Sequence, residues 1–362
     1  MPRANSVTGT ITCSGLLRLE NSRIWHRAYL AGRSVSYVPS ARQRPRSSDL
    51  PKRVSDATCL SLVCGRGATS SRKNGRYVPC QPVRGWLSSI AFQAGGTTMT
   101  FSELIDAIRD NPLSVTISAE WSQGRACFGG LMAALTYEAM RAQVPEGRPI
   151  RSLAITFVGP AEPGVPVSFE VDILRHGKAV SQVLGRAMQN GQVMTLIQGS
   201  FGASRESMIT VAAEPAPDLK PVDQCPELPF ASGVMPDYLR FMDIRWALGG
   251  MPFSNTQSPA IGGYVRFCEE HAKPVSEAHI LALVDTWPPA VLPHLNKPAP
   301  GSSLTWTIEF VQPQPVLDTL QWCSYRAVIE HARDGYGHTA AALWSPEGEL
   351  IAISRQTVTV FG

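Results

Sequence analysis

The 362-residue chain contains no uninterrupted run of about 18 apolar residues, so no helix of ordinary bilayer-spanning length is expected and no membrane partner is called for. Its eight cysteines form no Cys-x-x-Cys pair, which argues against a structural metal or a disulfide framework and for reduced thiols in a cytoplasmic protein. There is no Gly-x-Ser-x-Gly elbow, which disfavours an α/β-hydrolase. Gly177-Lys178 is followed by Ala, so no phosphate-binding P-loop forms, and Gly65-Arg-Gly67 lacks the remaining spacing of a dinucleotide loop. The seven histidines include no His-Glu-x-x-His and no close pair in sequence. His331 and His338, placed in a turn and a strand, read as surface residues. No metal and no cofactor is expected.

Acidic residues are missing from one region only. Residues 1–98 hold 15 Lys+Arg and three acids, Glu20, Asp49 and Asp56, whereas the whole chain holds 33 Lys+Arg and 29 Asp+Glu. The formal charge of +4 is therefore an average over a strongly basic arm and an acidic body. The arm has no sustained helical or strand period, and Ser and Pro interrupt its densest cluster, Arg42, Arg44, Arg46, Lys52 and Arg53, so it reads as disordered. Three readings compete. A nucleic-acid arm would need interleaved aromatics and a binding fold, and neither is present. A targeting segment fits the Arg- and Ser-rich composition, but the first residues form no clear amphipathic helix. The third is that translation starts at Met99, with Gly95-Gly96-Thr97-Thr98 as the translated image of a ribosome-binding site and spacer. The third is preferred, and with it the expectation of no nucleic acid. From Met99 the sequence reads as a helix with Ser102 as its cap.

The body carries an internal repeat. One stretch has Phe157-x-x-Pro160 and then a Gln189-Asn-Gly191 turn before an apolar strand; the other has Phe310-x-x-Pro313 and then Pro346-Glu-Gly348. The spacings from Phe to Gly are 34 and 38 residues. An apolar helical segment precedes each, over 128–140 and 278–292. Val167, Phe169, Val171 and Ile173 alternate with Ser168, Glu170 and Asp172, and Leu304, Trp306, Ile308 and Phe310 alternate likewise. A buried helix followed by an antiparallel meander, twice, is an α+β layout. The expected organisation is an arm over 1–98, one unit over 99–203, a linker over 204–229 rich in proline, and a second unit over 230–362.

Four features suggest chemistry. Asp285 sits in Ile280-Leu-Ala-Leu-Val-Asp-Thr-Trp-Pro-Pro, where lost hydration would raise its pKa and suit a base; the alternative is a cap before Pro288. Gln356 shares a strand face with Leu350, Ala352, Ser354, Val358 and Val360, so a buried amide needs a partner, either a ligand group or backbone at a sheet end. Gly129 and Gly130, after Phe128, open a helix whose free N–H groups suit a developing oxyanion, or else they serve close packing. Ser303, taken alone, reads as a structural strand-start residue.

Trp121, Phe128-Gly-Gly130, Phe157-x-x-Pro160, Ile173-Leu-Arg-His-Gly-Lys178 and Gln189-Asn-Gly191 resemble the first half of acyl-CoA thioesterases of the thioesterase II type. Ala282-Leu-Val-Asp285, Ser303-Leu-Thr-Trp-Thr, Phe310-x-x-Pro313 and Arg355-Gln356 resemble the second half. The resemblance covers residues 99–362 and implies a double hotdog fold, an acyl-CoA substrate and homo-oligomers. It implies that Asp285, Ser303 and Gln356 hold the attacking water, with Phe128, Gly129 and Gly130 on the substrate side. Where the family has an Asp-His pair after the Ser and Leu, this chain has Thr305 and Trp306, which bears on substrate preference. The rival expectation is a non-catalytic acyl-CoA or acyl-carrier binding protein on the same fold.

Overall fold

The computed structural model describes residues 98–361. The expectations for the basic arm concern residues that, Thr98 apart, lie outside the described residues. Helix α1 spans Phe101–Asp110 and turns Phe101, Leu104, Ile105 and Ile108 inward at helical spacing. Its cap is Thr100, not Ser102. Thr100 is extended and accepts from the Glu103 N–H at 3.3 Å, while Glu103 accepts from the Thr100 N–H at 2.7 Å. The reciprocal box requires an acid or amide three residues after the cap; Ser102 has Ile105 there and instead lies within the first turn.

Strands β1 (Ser114–Thr116), β2 (Ser122–Gln123) and β3 (Ala126–Cys127) lead into α2 (Gly129–Arg141), buried on all sides from Gly130 to Met140. Then come β4 (Ile150–Phe157), β5 (Pro166–His176), β6 (Val180–Gln189) and β7 (Gln192–Gly202). The second half places two strands, β8 (Met242–Leu248) and β9 (Ala260–Phe267), before its helix α3 (Glu277–Asp285). It continues with β10 (Gly301–Phe310), β11 (Cys323–Arg333), β12 (Tyr336–Trp344) and β13 (Leu350–Val360). Helix α3 is shorter than the apolar run suggested: Pro288 and Pro289 have no N–H for another turn, and the Thr286 hydroxyl takes up the Ala282 carbonyl at 2.6 Å.

β2 and β3 pair only with each other, and the other strands form one 11-stranded antiparallel sheet in the order β1-β5-β6-β7-β4-β10-β13-β12-β11-β9-β8. Neither half is a simple meander. In each, the last three strands run as a meander, and the first strand after the helix pairs with the last strand: β4 with β7, and β10 with β13. These two strands then pair with one another, Thr305 opposite Thr156 through Glu309 opposite Ser152, and fuse the halves edge to edge. The buried helices α2 and α3 lie inside this sheet and share one hydrophobic core with it. Two helices wrapped by one large sheet are the double hotdog, an α+β fold.

Alternation holds for Val167 and Phe169, which are buried, and fades at Ile173 near the strand end, where Leu174 bulges. It fails at Leu304. The pairing jumps from Ser303 opposite Val358 to Thr305 opposite Thr357, so Leu304 is an extra residue turned outward. The segment after β7 has no regular structure until 222, and its end is ordered along β8 through Glu227 opposite Arg245. Cys127, Cys225, Cys268 and Cys323 are all free thiols.

Candidate active site

The centre is built where the C-terminal end of α3 meets the N-terminal end of α2. Phe128 precedes α2 and supplies no side-chain cap. The carboxylate of Asp285, the last residue of α3, fills that role from the other half of the chain, where the Gly130 backbone N–H stabilises its charge. Asp285 thus caps the opposite helix rather than the break in its own. The approach is close enough that a Cβ on Gly129 would stand 2.9 Å from Asp285 Oδ2, and one on Gly130 3.0 Å from Asp285 Cβ. Only glycine allows this contact.

From the sheet side, Gln356 of β13 donates through Nε2 to Asp285 Oδ1 at 2.8 Å. This partner satisfies the inward-facing amide. Burial pushes the Asp285 carboxyl up to about 7, opposed by the Gln356 amide and the Gly130 N–H. Its surroundings are aromatic. Tyr238 lies face to face with Phe128 at 3.9 Å and donates to the Thr286 carbonyl at 3.0 Å, so one side chain ties the start of α2 to the end of α3. Trp287 stacks on Tyr325 at 5.1 Å and leans on Trp246 at 5.0 Å. Its buried Nε1–H has no acceptor among the described residues. The Asp285 charge in turn helps to hold the phenols of Tyr238 and Tyr325 in their neutral forms, although burial does most of this.

The structure brings Asp285, Gln356, Gly129 and Gly130 together. Phe128 is fully enclosed, and its ring packs on Tyr238. Ser303 makes no hydrogen bond to Asp285 or Gln356. Because of the bulge at Leu304 it shares the inner face with Gln356, opposite Val358 and two residues along β13. Sequence reasoning missed Tyr238, Tyr325 and Trp287; only Trp287, two residues after Asp285, lay beside a recognisable signal. Next to Phe157, whose ring borders Gly129, a groove of about 530 Å³ opens between Val158, Pro160, Val193 and Met194.

The first half has no equivalent site. Trp306, four residues before Phe310, pairs with Gln356; Leu153, four residues before Phe157, pairs with Gly199. The Met140 side chain fills the place of the amide against Gly199. The buried acid of α2, Glu138, is held by Arg109 at 2.8 Å instead. His331 and His338 face one another across β11 and β12 on the exposed side of the sheet, both in strands. No cluster of metal-ligating side chains occurs among the described residues.

Two family models match in order: the acyl-CoA thioesterase N-terminal domain over residues 117–202 and the acyl-CoA thioesterase C-terminal domain over residues 222–360. The chain belongs to the acyl-CoA thioesterase family. It is 24% identical to acyl-CoA thioesterase 2 of Haemophilus influenzae over 252 residues, which cover 64% of this chain and 86% of that protein. A hot dog fold protein from Alicyclobacillus acidocaldarius matches with a TM-score of 0.61 at 25% identity, covering 69% of this chain and 92% of that one. The acyl-CoA thioesterase II TesB2 of Mycobacterium marinum matches with a TM-score of 0.52 at 21% identity, covering 65% and 89%. As an acyl-CoA thioesterase, the chain is an enzyme of thioester hydrolysis. The matched regions end at either side of the irregular segment after β7, and the carboxylate–amide pair lies in the second.

Proposed function

We propose that the chain hydrolyses acyl-CoA to free acid and CoA with a water held by Asp285, Gln356 and Ser303, Asp285 being the general base. The observation that carries this reading is the Asp285–Gln356 contact at 2.8 Å on the first turn of α2, with the carboxyl poised at about 7. A base with that pKa is half ionised at neutral pH and still basic enough to take a proton from water. As the water oxygen bonds to the thioester carbon, its proton passes to Asp285 and the carbonyl electron pair moves onto oxygen. The Gly129 backbone N–H, in the first turn of α2, is the donor assigned to that oxyanion, aided by the positive end of the helix. Collapse of the intermediate breaks the C–S bond and releases CoA as thiolate. No acyl-enzyme forms. Ser303 faces the same side as Gln356 and orients the water from the sheet.

The discriminating experiment is free-thiol release from a panel of acyl-CoAs. Turnover with at least one chain length, abolished in Asp285→Asn, is the expected result. Saturable binding across the panel without thiol release would replace hydrolysis with a binding function on the same fold.

A further inference from the structure

The turn between β5 and β6 gathers positive charge on an otherwise acidic body. Arg148 donates to the carbonyls of Gly177 and Lys178 and to the Ser181 hydroxyl, which His176 also contacts at 2.9 Å. Arg151 donates to the Gly202 carbonyl and to Ser204, beside Arg205. Arg175, near the end of β5, and Lys178, in the turn, are exposed. Seven other arginines carry all the ion pairs found among the described residues; Arg148, Arg151, Arg175, Lys178 and Arg205 make none. Glu146 and Glu206 flank the cluster in sequence, and the acids nearest Arg175 on its own strand, Glu170 and Asp172, are held by Arg186, Asp172 at 2.7 Å.

Apolar side chains are exposed in the same place. Ile173, Leu174 and Val180 flank the turn, with Leu174 at 53% exposure. Several exposed aliphatic side chains on one hairpin suit a contact surface. Its mixture with unpaired cations selects the contact. A free phosphate or nucleic acid would use the charges but not the aliphatic side chains. An acyl-carrier protein would use both, but it must reach Asp285. The turn lies at the Ile150 end of β4, while Phe157, beside Gly129, is at the other end, roughly 23 Å along the strand at about 3.3 Å per residue. A lipid surface has no such constraint.

We infer that the β5–β6 turn, with Arg148, Arg151, Arg175, Lys178 and Arg205 around Leu174 and Val180, is a peripheral docking surface for an anionic lipid bilayer. Cations attract the headgroups, and the aliphatic side chains enter the interface. The expectation of no membrane partner rests on the lack of a spanning run; a peripheral contact needs no spanning helix, and none is present among the described residues. The inference is independent of which residues activate the water.

The test is co-sedimentation of the full chain with large vesicles of phosphatidylcholine alone or with about a third phosphatidylglycerol. Each cation near such a surface contributes about a factor of five. The double variant Arg175→Glu, Lys178→Glu should therefore bind the anionic vesicles at least tenfold more weakly, with thiol release from soluble acyl-CoA unchanged. Binding by the parent chain should fall as salt is raised. Equal binding to both vesicle types, or equal anionic binding by parent and double variant, would overturn the inference; the latter would place any attraction in the basic residues 1–98. Retention of an acidic carrier protein by the parent chain but not the variant, without vesicle binding, would also overturn it.

Discussion

Replacing Asp285 by Asn keeps an oxygen for the Gln356 amide and removes the proposed proton acceptor. General-base catalysis contributes about 10² to 10⁴ in rate, so turnover should fall by that factor with little change in KM. A fall of less than threefold in a steady-state assay would remove Asp285 from the chemistry. In the proposed mechanism the active form is the carboxylate, so kcat/KM of the parent enzyme should rise with pH through about 7 and level above it. The same shift can be read as stability. A carboxyl raised from 3.8 to about 7 binds a proton in the folded state where the unfolded chain is ionised, so its stabilisation is present below about pH 4 and is lost as pH rises toward 7. His279 acts in the opposite sense. It is buried between Ser102 and Ser276, and burial, then the Arg109 charge, holds it near 3. Its stabilisation is therefore lost as pH falls from 6.5 toward 3. The two offset one another between about pH 4 and 6.5. In Asp285→Asn only the histidine effect remains, so urea midpoints should drop on acidification more steeply than in the parent, by up to about 1.4 kcal/mol per pH unit. Parallel pH dependences would show that Asp285 has an ordinary pKa.

The contact between α2 and α3 is where element geometry builds the candidate site. A methyl on Gly130 would stand 2.6 Å from the enclosed Phe128 ring and 3.0 Å from Asp285, so the helices would have to separate. Gly130→Ala should cost about 1–3 kcal/mol in urea unfolding, and turnover should fall well beyond what the folded fraction explains. Unchanged thiol release would mean that the helix start tolerates displacement. Much of this site was visible in the sequence. Alternation alone turned Gln356 inward, and the apolar company of Asp285 marked its lost hydration. Their meeting was not visible, because 71 residues separate them and the helix crossing that joins them is a property of packing. Ser303 shows the limit of alternation: counting back from Trp306 points Leu304 inward, and only the bulge restores Ser303 to the inner face. The Thr100 cap was legible but overlooked, since Glu103 stands three residues later while Ser102 has no such partner.

For the whole molecule the repeat in Phe157-x-x-Pro160 and Phe310-x-x-Pro313 was a sound guide to two similar halves, but not to their fusion. Nothing in the composition of β4 or β10 says that each pairs with the other rather than ending an open sheet; Ala154 and Thr307 suit either outcome. Fusion has a thermodynamic consequence. The inner β4–β10 ladder leaves neither half with a free edge at the join, and Asp285 caps a helix of the first half from the second. Tyr238, before β8, clamps the same junction. Losing one half would therefore open an unpaired central strand, uncap α2 and bare the face between two buried helices. The halves should unfold together. Far-ultraviolet circular dichroism reports both halves, whereas five of the eight Trp lie in the second half, Trp121 alone in the first, and Trp25 and Trp86 in residues 1–98. The two signals should give coincident urea transitions. A proline at Thr307, which removes an N–H from a strand paired on both sides, should shift both midpoints equally. Separated transitions, with the fluorescence change leading, would show that the second half opens while the first stays folded and that the shared sheet does not couple them.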